Sequence, residues 1–118
     1  MFTTLTKTER LSIANSAIRK LGARRAREAT RPIYPVFPNP TGFDGVDELP
    51  NGKYRARIRF CDALSGSDVR ITLTSKAGTA EEAGYAYCMA HIHLWGGVSR
   101  YNQDIPTSEL DSLIEGGR

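Results

Sequence analysis

Apolar positions change their period twice along this chain. Leu11, Ala14, Ala17, Ile18 and Leu21 recur at helical spacing, and Thr6-Lys7-Thr8-Glu9 ahead of them has the spacing of a capping box. The pattern predicts a helix over about residues 7–29, with Gly22 as a soft spot. A mid-helix glycine costs ~1 kcal/mol against alanine. Residues 31–40, RPIYPVFPNP, then carry four prolines, which exclude a helix and a central strand. The apolar Ile33, Tyr34, Val36 and Phe37 between them predict an extended segment lying over the core.

From residue 43 the period falls to two. FDGVDEL (43–49) predicts a short strand, and Pro50-Asn51-Gly52 is hairpin-turn chemistry. KYRARIRF (53–60) predicts a second strand, with Tyr54, Ala56, Ile58 and Phe60 on one face and Lys53, Arg55, Arg57 and Arg59 on the other. VRITLTS (69–75) alternates again, which completes a three-stranded antiparallel meander. The period then returns to helical. Thr79 caps a helix that opens on Glu81 and Glu82, runs to about Trp95 and ends at Gly96-Gly97.

This last helix is apolar all round. Ala83, Ala86, Tyr87, Ala90 and Leu94 cluster on one side, and Tyr85, Cys88, Met89, Ile92 and Trp95 on the other. Such a helix must be covered twice. The sheet takes one side. The N-terminal helix, the Ile33–Phe37 segment or another subunit takes the second, and a cover from the chain itself is the expectation. A short helix over about 106–115 offers Leu110, Leu113 and Ile114 for the same role. The expected fold is therefore α+β: a three-stranded antiparallel sheet packed on one long helix, with an additional N-terminal helix and a short C-terminal helix. Its parts are a basic helix and proline segment (1–42), a sheet-and-helix domain (43–102) and a short helical tail (103–118).

Composition adds a partner class. The 118 residues carry a net charge of +3. Residues 1–42 hold eight lysines and arginines against two acids, while residues 43–118 hold eight against eleven. A basic first third suits nucleic acid or an acidic surface, and Arg24, Arg25 and Arg27 are candidates for phosphate contact. The two cysteines and an opening stretch without a secretory pattern point to a reducing, cytoplasmic setting, and no run is apolar enough to span a membrane. Cys88, His91, His93 and Cys61 are poorly spaced for zinc, so no metal or other cofactor is expected. No nucleophile–base spacing stands out, so no enzymatic activity is expected either.

The order of motifs resembles a known family. FDGV (43–46), GKYRARIR (52–59), TAEEAGYAY (79–87), AHIHLWG (90–96) and SRYN (99–102) follow the pattern of the plant Apetala/ethylene-response-factor (GCC-box-binding) DNA-binding domain and its phage and bacterial relatives. The likeness covers residues 43–102. In that family the outward side chains of the sheet enter the major groove. The resemblance therefore implies that Arg57, Arg59 and Arg70 contact DNA, with Arg55 on the same face and Thr72 where an aromatic contact is usual. The chain departs from the family where its first strand carries arginines. Asp44 and Asp47 stand there, with Glu48 next, and Asn51 replaces a turn tryptophan.

Two functions follow from this pattern. One is a small DNA-binding protein, a phage-type regulator, contacting duplex DNA through its sheet. The other is a protein-binding regulator or inhibitor on the same scaffold. There Asp47 and Glu48 would pair with Arg57 or Arg59, and Tyr85, Met89, Ile92 and Trp95 would meet a partner or a second copy.

Overall fold

The first helix, α1 (Lys7–Leu21), begins where the capping box places it. The Thr6 N–H donates to Glu9 Oε1 at 3.0 Å, and the Glu9 N–H donates to Thr6 Oγ1 at 3.1 Å. Its apolar stripe, Ala14, Ala17 and Leu21, is buried. The helix is shorter than the 7–29 expected, and Ala29 belongs to a strand. The computed structural model describes residues 5–21, 29–32, 40–62 and 65–95. The expected C-terminal helix and the Ile33–Phe37 cover lie outside the described residues.

The meander is present as β2 (Val46–Glu48), β3 (Tyr54–Asp62) and β4 (Asp68–Ala77), all antiparallel. A fourth strand, β1 (Ala29–Pro32), is an addition to the expected three. It pairs with the far end of β3, Arg31 opposite Cys61 and Pro32 opposite Phe60. The proline is tolerated because this is an edge, where a missing N–H breaks no ladder. β3 is thus central, with β4 along one flank and β2 and β1 sharing the other.

Turn chemistry sets the register. The Leu49 N–H donates to the Lys53 carbonyl at 2.7 Å, and the Gly52 N–H to the Leu49 carbonyl at 3.0 Å. Gly52 takes a φ of +82°, the left-handed residue that closes a three-residue hairpin loop. Counting back from Leu49 and Lys53 puts Glu48 opposite Tyr54 and Asp47 opposite Arg55. The first strand is shorter than FDGVDEL because Gly45, at a φ of +71°, turns the chain. Its carbonyl still accepts from the Arg57 N–H at 2.9 Å. The Thr41 hydroxyl accepts from the Phe43 N–H and donates to the Val46 carbonyl, each at 3.2 Å, which braces that turn.

The second long helix, α2 (Ala80–Trp95), lies on the inner face of the sheet. Thr79 Oγ1 accepts from the Glu82 N–H at 3.2 Å, and Glu82 reaches back to the Gly78 N–H at 3.1 Å. Ala83, Ala86, Tyr87, Ala90 and Leu94 pack with Ala56, Ile58, Phe60 and Leu73 of the sheet and with Ala17 and Leu21 of α1. The other side of α2 packs on α1, where Tyr85, Cys88, Met89 and Ile92 bury against Leu5 and Ala14. The second cover comes from the chain itself. Tyr85, Met89 and Ile92 are 2% exposed or less, so the apolar partner surface suggested by sequence is already occupied by α1. Trp95 turns to the sheet side, its ring edge-on to Phe60 at 6.2 Å.

Candidate nucleic-acid interface

Period-two alternation puts Ala56, Ile58 and Phe60 under α2 and leaves Arg55, Arg57 and Arg59 on the opposite face of β3. Arg70 and Thr72 share that face from β4, directly across from Arg59 and Arg57. Among the described residues both helices lie on the inner face, and none crosses the arginine face. The structure thus brings together five of the eight sequence-predicted contact residues. Arg24, Arg25 and Arg27 lie outside the described residues.

Acids divide these cations into three kinds. Arg55 is held side-on by Asp47: Nη2 donates to Oδ2 at 2.6 Å and Nε to Oδ1 at 3.3 Å. Arg59 has a longer contact, 3.3 Å, with Asp68, a residue the sequence reading left out. Its signal was position, since an acid one step before Val69 falls diagonally across from Arg59. Arg57 and Arg70 have no hydrogen bond or ion pair from their side chains among the described residues. The expectation that Asp47 or Glu48 would pair with Arg57 or Arg59 is corrected by the register: Asp47 meets Arg55, and Glu48 accepts from the Tyr54 hydroxyl at 3.2 Å. The Glu48 carboxylate pushes that phenol above its usual range.

Asp44 is a second correction. It stands where the resembled family's first strand carries an arginine, but it is only 1% exposed. It precedes β2, on the far side of the turn at Gly45. The acidic character of that strand on the arginine face reduces to Asp47, with Glu48 beside it.

Arg57 sits at the centre of this pattern. Burial, then the Arg55 charge, lower its guanidinium from the ordinary arginine value; Asp47 opposes this, and Arg70 and Arg59 add to it. Arginine stays charged at any physiological pH, so the repulsion remains and an incoming anion would relieve it. No group of His, Cys, Asp and Glu that could hold a metal ion occurs among the described residues. No described helix is long and apolar enough to cross a membrane.

No family model, curated protein or solved structure matches this chain.

Proposed function

We propose that this chain binds duplex DNA through the outward face of β3 and β4, in the manner its resemblance to ethylene-response-factor domains implies. One observation carries the reading. Arg57 and Arg70 project from a sheet face that neither described helix crosses, with no acid of their own among the described residues, and a directly opposed Arg59–Arg70 pair crowds the same face with charge. Like charges across a strand pair cost a few tenths of a kcal/mol up to ~1. A phosphate backbone offsets that cost, and phosphate neutralisation supplies most non-specific affinity. Arg59, half-paired, and Thr72 complete the contact face, and Arg24, Arg25 and Arg27 would add phosphate contacts. The alternative, a protein-binding regulator, retains the Asp47 edge but loses its apolar half to α1.

The test is fluorescence anisotropy with a random-sequence duplex at several salt concentrations. Two to four neutralised phosphates give a log–log salt slope of roughly −2 to −4. Arg57→Ala with Arg70→Ala is expected to weaken binding at least tenfold and to flatten the slope by about 2. A chain that ignores DNA at low salt, or a double variant with unchanged affinity, would favour the protein-partner reading.

A further inference from the structure

The Arg55–Asp47 pair removes Arg55 from simple phosphate contact, yet it leaves part of the guanidinium available. A guanidinium has five N–H donors in a rigid planar fork. Asp47 engages Nε and one hydrogen of Nη2. The end of the fork, formed by Nη1 and the second hydrogen of Nη2, makes no hydrogen bond among the described residues. The side chain keeps 31% of its surface in solvent, on the same face as Arg57. Two parallel donors with that spacing match guanine O6 and N7 in the major groove. Clamping at the Nε edge fixes the plane of the fork, so less rotamer freedom is lost on meeting a base.

We infer that Arg55, oriented by Asp47, is a guanine-reading residue of this face, while the unpaired Arg57 and Arg70 supply its salt-dependent affinity. The inference rests on the DNA-binding reading above and adds a division of labour within it. The net charge of the Arg55–Asp47 pair is zero, so it contributes little attraction for phosphate. Its contribution is directional, and a carboxylate beside it repels the backbone wherever the base edge is wrong. Asp47 is thus a positioning residue for Arg55.

The experiment measures binding of the full chain to two probes, a dG·dC-only duplex and a dA·dT-only duplex, across a salt series. The parent is expected to prefer the dG·dC duplex by on the order of tenfold, the scale of one bidentate base contact. Arg55→Lys keeps the charge and loses the fork, so it is expected to abolish the preference and leave the salt slope on the dA·dT duplex unchanged. Asp47→Asn cannot accept from both donors and is also expected to abolish the preference, with tighter binding to the dA·dT duplex as Arg55 becomes free for phosphate. Thermal unfolding of each variant, expected within a few degrees of the parent, separates these effects from misfolding. Salt-dependent binding of both probes with equal affinity by the parent would overturn the inference and leave the DNA-binding reading standing. A preference that survives either substitution would overturn it as well. Failure to bind either duplex would remove both.

Discussion

Two glycines show how tightly single positions constrain this fold. A Cβ at Gly84, in the second turn of α2, would strike the ring of Phe43. Alanine is ordinarily favoured over glycine in a helix by ~1 kcal/mol, but here overpacking dominates, and Gly84→Ala is expected to destabilise by about 1–3 kcal/mol in urea unfolding. Pairing it with Phe43→Leu should recover part of the loss. Gly45 is bound twice, by its φ of +71° and by the Arg57 carbonyl, which would lie 2.6 Å from a Cβ. The motif FDGV was legible in the sequence. Its requirement for a bare Cα against Arg57 and Tyr87 was not, since that contact joins residues distant along the chain.

At the scale of elements, the capping signals read from sequence have structural counterparts. Thr79→Ala removes the acceptor for the Glu82 N–H and is expected to cost about 1 kcal/mol. At the start of α1, hydrogen bonds from the Thr6 backbone, then from its side chain, hold the Glu9 carboxyl below its ordinary value of 4.5. A depressed carboxylate stabilises the fold above its unfolded pKa, and that contribution is lost as the pH falls through the lower folded value. The gap in melting temperature between the parent and Glu9→Gln should therefore be open near neutral pH and close as the pH falls below about 4.5. In the sheet, Arg70→Thr removes the like-charge opposition to Arg59. It is expected to stabilise the fold by a few tenths of a kcal/mol, read by chemical unfolding, while weakening DNA binding. Hairpin register was also accessible in principle. A three-residue loop at Pro50-Asn51-Gly52 fixes Asp47 opposite Arg55 by counting, whereas reading each strand's alternation alone gives the face and not the partner.

For the whole molecule, α2 is the shared layer between sheet and α1, so stability is concentrated around it. Leu21 and Met89 are both fully buried, one in each of the two cores. Either residue changed to alanine should cost 2–5 kcal/mol in denaturant unfolding, spread by how far each site collapses. A chain lacking α1 would expose Tyr85, Met89 and Ile92 together, and size-exclusion chromatography should show it self-associating. That outcome would recover the apolar interface sequence reasoning allowed, in a molecule that has lost its own cover.

The sequence by itself determined the period of each element, the caps, the hairpin loop, the separation of arginines from the apolar face of β3, and the need for a second cover on α2. These are local properties, set by side-chain direction and backbone preference over a few residues. Tertiary structure alone decided that α1 is that cover, that residues 29–32 add an edge strand, that Asp44 is buried, and which arginines keep a carboxylate beside them. Each depends on which distant residues come within a few ångströms. Charge pairing is decided at that range, because a one-residue change of register moves a carboxylate to the other face of the sheet.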